Sequence, residues 1–369
     1  MPEAKAPETK AAVLDDVVGI IRETSPLASV QRLHSPRPIL NRDQIVTAQV
    51  QGFTVVVKIA EFFVRGVNLD PADPHYAQGV LCVFFEPDAL LDPAQDLFRF
   101  LDSPQGRRVK TKRMFGVYSQ GVCCPVTVVA LYGMDPTTLA EGQDLTAALR
   151  VTKYIDPAEA SQYVASPTEH APFPPHVPKT DEPNLQSHPE FLQQLVGRRV
   201  TVTLKMDGAS MTVTSDGQLC GRNYTWDVRS TSNASYFAAD ARYAIRSTLQ
   251  QHPEKVAVQG ELLAPKINKN QAGVKDVTWL VFNVFRDGQY LPHRDVEDLC
   301  RRWGFFTVRC LHLDVAATDL PYRTLEDWLD YADTLTYDNQ RSAEGIVVKT
   351  SDGLEPRLSF KVLSRRYLI

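Results

Sequence analysis

The sequence predicts an α+β chain of two domains: a β-rich barrel first, then antiparallel strands with helices packed outside. Three observations carry this. Residues 26–150 hold short runs of β-branched and aromatic residues with little helical periodicity. Residues 157–189 contain eight prolines and little apolar pattern, which reads as a stiff, extended linker. From about residue 190, strand-like apolar runs alternate with segments of helical period. A chain of 369 residues is long enough to bury cores of this kind without disulfide staples.

In the first half, strands are expected at 45–50, 53–59, 80–85, 118–123 and 126–131. A set of short strands with turns suits a small closed barrel. Before them, residues 1–25 form a polar lead-in. Val13, Val17, Ile20 and Ile21 recur there at helical spacing, so a loosely docked arm with one helix over 9–21 is expected. In the second half, strands are expected at 200–204, 211–214, 256–263, 279–285, 345–350 and 357–362. Helices fit 235–250, 294–303 and 325–335. Thr324 offers an N-cap with Asp327 three residues on, and Gly304 suits the position after a helix end. Asp216-Gly217, Asp287-Gly288 and Asp352-Gly353 read as hairpin turns.

Composition removes several function classes. The net charge of −4 excludes a globally basic binder but not a local basic groove. No apolar run approaches the ~20 residues of a membrane span. The N-terminus mixes acids with lysines and lacks a signal-peptide pattern, so a cytoplasmic protein is expected. The six cysteines, at 82, 123, 124, 220, 300 and 310, form no C-x-x-C pair and read as reduced, buried thiols. The histidines show no ligand-type spacing, so metal ligation by histidine is not expected. Neither a Walker A loop nor G-x-G-x-x-G occurs.

Five short segments carry the chemistry. In Lys205-Met206-Asp207-Gly208, Val200, Val202 and Leu204 alternate with Thr201, Thr203 and Lys205, so the lysine ends a strand on its polar side. A lysine so placed is a candidate amine nucleophile. Glu261 and Glu344 each enter an apolar strand, where a carboxylate is costly without a cation. In 279–285, Phe282 or Phe285 can offer a flat face to a base. In 358–362, Ser359 and Lys361 share the face opposite Leu358, Phe360 and Val362. Apart from these, Arg107, Arg108, Lys110, Lys112 and Arg113 form a basic run, read either as a solvated loop or as a phosphate contact.

In this order, K-x-D-G, E-L, an aromatic strand, E-G-x-V-V-K and a terminal lysine strand, the set resembles the covalent nucleotidyltransferases. These are the ligases and RNA capping enzymes. Further stretches resemble one branch, the Deinococcus/Naegleria-type ATP-dependent RNA ligases, which carry an N-terminal OB domain. They are Arg108-Val-Lys-Thr-Lys-Arg, Ser119-Gln-Gly-Val, Val151-Thr-Lys-Tyr, 173–182, Gly221-Arg-Asn and Arg366-Tyr-Leu. Only Val362–Ile369 follow Lys361, so the expectation is an OB domain before, and not after, the ligase-type nucleotidyltransferase domain. The expected division is an arm at 1–25, an OB-like domain at 26–156, the linker at 157–189 and the nucleotidyltransferase domain at 190–369.

The resemblance implies ATP as substrate and Lys205 as the residue that takes AMP. It implies Mg²⁺ or Mn²⁺ held by Asp207, Glu261 and Glu344, and adenine stacked on Phe282. Lys349 and Lys361 would bind nucleotide phosphates, and Arg222 the ribose or the 3′-OH strand. Arg222 and Asn223 are candidates for reading that 3′ end, and the 107–113 run for gripping RNA. The implied enzyme is a monomer in RNA repair, acting on RNA or an RNA-containing nick. One departure stands: Ser359 occupies the place where the superfamily commonly has a second lysine, leaving Lys361 alone or Arg357 in its stead. The competing readings are a DNA ligase, a GTP-using capping enzyme, and a catalytically silent RNA-binding module.

Overall fold

The computed structural model describes residues 26–39, 42–58, 80–104, 106–154, 170–227, 229, 231, 233–252 and 255–367. The expected arm at 1–25, and the part of the proline-rich segment before residue 170, lie outside them. The chain forms two compact units. One contains residues up to 154 together with 186–188, and the other contains 155–185 and 189–368. Among the described residues, no helix is long and apolar enough to cross a membrane.

The first unit is a five-stranded antiparallel sheet in the order β3-β2-β1-β4-β8. Its strands are β1 (Ala28–Ile39), β2 (Arg42–Val50), β3 (Phe53–Lys58), β4 (Val80–Phe85) and β8 (Val122–Pro125). Between β4 and β8 lie the short β5 (Ala89–Leu90) and the hairpin of β6 (Lys112–Met114) and β7 (Val117–Ser119); β9 (Thr152–Lys153) pairs back on β5. Strand β4 explains its own unbroken apolar run. Val83 and Phe85 join one core with Ala28 and Val30, while Cys82 and Phe84 join another with Leu33 and Phe53. A strand buried on both faces needs no alternation.

Residues 126–131, expected as a strand, are instead a 3-10 helix, Val126–Tyr132. Pro125 starts it and a left-handed Gly133 ends it, and Val128 and Val129 are buried in the core that holds Val83. An apolar run this short does not reveal its period.

The second unit has two sheets. The eight-stranded sheet runs β10-β14-β13-β12-β15-β16-β17, with β18 parallel to β16. Its strands are β10 (His170–Pro172), β12 (Ala209–Thr214), β13 (Leu219–Cys220), β14 (Tyr224–Trp226), β15 (Val256–Leu263), β16 (Thr278–Arg286), β17 (Gln289–Tyr290) and β18 (Phe306–Thr307). The four-stranded sheet runs β19-β11-β20-β21. It is built from β11 (Arg199–Lys205), β19 (Cys310–Ala316), β20 (Gly345–Thr350) and β21 (Ser359–Leu363).

Among the described residues, five α-helices accompany them: α1 (Phe191–Gln194), α2 (Ala234–Tyr243), α3 (Ile245–Leu249), α4 (His293–Trp303) and α5 (Leu325–Thr334). Helix α5 starts with the expected capping box: Thr324 Oγ1 accepts from Asp327 N, and Asp327 Oδ2 accepts from Thr324 N. The single helix expected over 235–250 is broken into α2 and α3 at Ala244, which is left-handed. Asp240 holds the break by accepting from the Arg246 backbone N–H at 2.9 Å and from its Nε at 2.8 Å. The fold is thus α+β, with an OB-type sheet followed by a sheet-rich second unit.

Candidate active site

The four-stranded sheet sorts its residues cleanly. Val200, Val202, Ile346, Val348, Phe360 and Val362 face the core beneath α5. The other face carries Thr201, Thr203 and Lys205 from β11, Val347 and Lys349 from β20, and Ser359 and Lys361 from β21. Strand alternation therefore puts three lysines on one polar face. Across β20, Lys205 pairs with Gly345, Lys349 with Ser359 and Val347 with Lys361.

Lys205 ends β11, and its Nζ donates to Glu344 Oε2 at 2.8 Å. Burial alone would lower the pKa of this ammonium. Glu344, Glu261 and Asp207 outweigh burial, and the net shift is upward. The tyrosine Tyr337 fixes the pair from behind: its hydroxyl donates to the Lys205 carbonyl at 3.2 Å and accepts from Glu344 N at 3.0 Å. Gly345 follows Glu344 with φ 148°, and a Cβ there would lie 2.0 Å from the Val362 carbonyl oxygen. The glycine after the acid is thus demanded by the close approach of β21.

Glu261, on β15 of the other sheet, accepts from the Gly208 backbone N–H at 2.9 Å. Gly208 does not have a positive φ. Its reason is space, since a Cβ would lie 2.4 Å from the Leu262 carbonyl oxygen. Asp207 accepts from Asn268 Nδ2 at 2.9 Å and from the Tyr367 hydroxyl. Burial, then the charge of Glu344, pushes Asp207 up to about 6. Burial, with Glu344 and Asp207 beside it, pushes Glu261 up to about 8 against the pull of Lys205. Three carboxylates facing one lysine are short of positive charge. As hard oxygen donors they fit a Mg²⁺- or Mn²⁺-type cation.

Lys349 is buried, and its Nζ donates to the Phe282 carbonyl at 2.9 Å and to Asn283 Oδ1 at 2.8 Å. The lysine expected on nucleotide phosphates thus has two donors already engaged in tying the sheets together. Burial lowers it to about 8. Phe282 is the extra residue of a β-bulge, since Gln259 pairs with Asn283 and Gly260 with Val281. It stays half-buried, whereas Phe285 packs edge-on against Tyr290. Arg357 lies before β21 and stacks over the Tyr290 ring at 4.1 Å, so it is no strand partner of Lys361. Lys361 holds the end of the proline-rich segment through its backbone: Leu185 N donates to its carbonyl and its own N–H donates to Pro183 O.

That segment is more than a spacer. The Pro178 carbonyl accepts from Gln259 at 2.7 Å, Thr180 and Ser210 hydroxyls are 2.7 Å apart, and Asp181 pairs with Arg222. Residues 178–185 therefore run past both sheets. Arg222 is brought to this edge, but Asn223 is buried in the loop between β13 and β14.

In the first unit the basic run divides. Arg107 is 8% exposed, donates to Asp102 Oδ1 at 2.7 Å and also bonds the Asp92 and Gln95 carbonyls. Arg108 pairs with Asp88 at 2.6 Å and lies over the Tyr154 ring at 3.8 Å. These two are structural. Lys110, Lys112 and Arg113 are exposed, beside Met114 and Phe115 at the tip of the β6–β7 hairpin. The sequence reading gave no role to Tyr337, Tyr367 or Asn268. Their one signal was the 366–368 stretch quoted in the resemblance.

The RNA ligase family model matches residues 198–363, and an OB-fold domain model matches residues 27–126. Among solved structures, the chain is similar to Naegleria gruberi RNA ligase in several states. An apo mutant is 26% identical, with a TM-score of 0.76, covering 94% of this chain and 98% of that one. The form with PPi and a mutant with AMP and Mn are each 27% identical, with the same TM-score, over 93% of this chain and 98% of theirs. No curated protein sequence matches the chain. With an OB-fold model matching ahead of an RNA ligase model, and a likeness to a ligase structure along nearly its whole length, the chain is an enzyme with an RNA ligase domain, a nucleotidyltransferase.

Proposed function

We propose that the protein is an ATP-dependent RNA ligase that joins 3′-OH and 5′-phosphate ends through an AMP adduct on Lys205. The observation that carries this is the placement of Lys205 Nζ. It lies at a strand end, 2.8 Å from Glu344, on the polar face it shares with Lys349 and Lys361. The similar Naegleria structures hold ATP, AMP, PPi and Mn, which supports ATP and a divalent metal for this chain.

In the first step Lys205 Nζ attacks the α-phosphorus of ATP. The N–P bond forms, the bond to pyrophosphate breaks, and Nζ gives up a proton. Asp207, Glu261 and Glu344 would hold Mg²⁺ or Mn²⁺, which when bound supplies charge neutralisation to the triphosphate and weakens the carboxylates' grip on the lysine proton. Phe282, re-aimed by its bulge, offers adenine a stacking face, and Lys361 faces the phosphates. Next, an oxygen of the RNA 5′-phosphate attacks the lysyl-bound phosphorus, and Lys205 regains its proton. Finally the 3′-OH attacks the adenylated 5′ end and AMP leaves. Arg222 lies where the 3′-OH strand would approach. The exposed Lys110, Lys112 and Arg113 suit contacts to RNA phosphates.

This reading places ribose on the 3′-OH side of the preferred nick, in RNA repair by a monomeric cytoplasmic enzyme. The test is single-turnover sealing of pre-adenylated nicks that differ only in the terminal 3′ sugar. Ribose should be sealed at least ~10-fold faster, since its 2′-OH can fix the attacking end. Equal rates would reassign the enzyme as a general polynucleotide ligase. Incorporation of label from GTP, and not from ATP, would make it a capping-type enzyme.

A further inference from the structure

A second cluster of ligand-type side chains lies in the same unit, built from residues that the proposed chemistry does not use. Helix α4 begins at His293 and packs Val296, Leu299 and Cys300 into the core of the eight-stranded sheet. Glu297 is one turn on from His293. Cys310 opens β19 in the four-stranded sheet. One ligand atom each from His293, Glu297 and Cys310 lie within 4.8 Å of one another.

The details suit a metal better than a hydrogen-bonded core. His293 Nε2 is 3.6 Å from Glu297 Oε1, too long for a hydrogen bond. It is close to the ~3.3 Å edge of a tetrahedron with ~2.0 Å bonds to zinc. The His293 side chain is only 4% exposed, and Nε2 is buried without a hydrogen-bond partner. Such an orphan needs an explanation. The Cys310 thiol makes a weak contact, 3.8 Å to the Val202 carbonyl, and accepts from the His312 backbone. Burial and the nearby Lys349 lower the imidazole to about 4, which leaves a neutral ring with a free lone pair.

We infer that His293, Glu297 and Cys310 form a zinc-type site that staples the start of α4 to β19. Nitrogen, oxygen and sulfur donors together select zinc over magnesium or calcium, which take oxygen alone. Cys310 binds as thiolate, and its proton passes to solvent. With the Glu297 carboxylate, two negative charges then match one divalent cation. A fourth position is left for water. The site shares no residue with Asp207, Glu261 and Glu344, and its role is to hold together the two sheets that Lys349 also spans.

The test uses the full chain, stripped with a chelator and titrated with Co²⁺ as an optical probe. One equivalent should give a sulfur-to-cobalt charge-transfer band that zinc abolishes. The band should vanish in Cys310→Ser and persist in Cys300→Ala and in Glu344→Gln. Zinc should raise the Tm of the wild type and leave that of Cys310→Ser unchanged. If Cys310→Ser does not fold, Glu297→Ala replaces it and should weaken Co²⁺ binding about tenfold or more. No band in the wild type overturns the site. So does a band that survives Cys310→Ser, one that disappears with Cys300→Ala, or unchanged Co²⁺ affinity in Glu297→Ala.

Discussion

The Tyr367 hydroxyl donates to Oδ2 of Asp207, joining the last turn of the described chain to the loop that follows Lys205. The segment is anchored two residues earlier. Arg365 reaches Glu326 at 2.5 Å, Asp330 at 2.5 Å and Asp333 at 2.8 Å, all on α5. Asp207 is thus aimed from two sides, by Asn268 on one oxygen and Tyr367 on the other.

Removing that hydroxyl should therefore impair adenylation. A hydrogen bond to a charged group is worth about 1.5–3 kcal/mol. Tyr367→Phe should slow lysyl-AMP formation roughly 10–100-fold at limiting Mg²⁺. Part of the loss should be recovered at high Mg²⁺, because the cation can then reorder Asp207. A titration of rate against Mg²⁺ checks this, and an unchanged curve would show that Tyr367 only packs.

The basic run should split by position. Arg107→Ala removes bonds to Asp102 and to the Asp92 and Gln95 carbonyls, so it should lower Tm by several degrees. Lys112→Ala with Arg113→Ala should leave Tm within a degree or so and weaken nick sealing, most visibly as salt rises. Autoadenylation should be unaffected by the pair. If it falls in step with sealing, the hairpin is structural as well.

What the sequence made legible was whatever alternation or capping encodes. Thr201, Thr203 and Lys205 alternate with apolar neighbours, and the structure shows the same faces. Thr324 and Asp327 announced their capping box. The failures came where tertiary contacts decide. Nothing local marks Arg107 as internal, because Asp92 and Asp102 are brought to it by the fold. Ala244 breaks a helix because Asp240 holds Arg246 across the gap. Tyr367 is 160 residues from Asp207 in sequence, beyond the reach of any spacing rule. The proline-rich segment reads as a linker, and the docking of its end on Gln259, Ser210 and Lys361 depends on sheets that form elsewhere.

Acid stability offers a check away from the active site. Hydrogen bonds from Arg198 hold Asp352 down at about 2, against an ordinary 3.8. A depressed carboxylate stabilises the fold fully above its unfolded pKa, and the gain is lost as pH falls through the folded value. The pair should contribute about 1–2 kcal/mol at neutral pH. Asp352→Asn should be less stable by that amount at pH 7 in urea unfolding, and the gap should close between about pH 4 and pH 2. A gap that stays constant across that range would assign the effect to packing.

In the proposed reaction Lys205 carries AMP. The direct measurement pairs two assays on Lys205→Ala, covalent label from α-labelled ATP with Mg²⁺ and sealing of a pre-adenylated nick. No label is expected on the variant, wild-type label should map to Lys205 by peptide mass spectrometry, and sealing of the pre-adenylated nick should remain measurable. Label retained by the variant, or mapped to another residue of the wild type, would contradict that assignment.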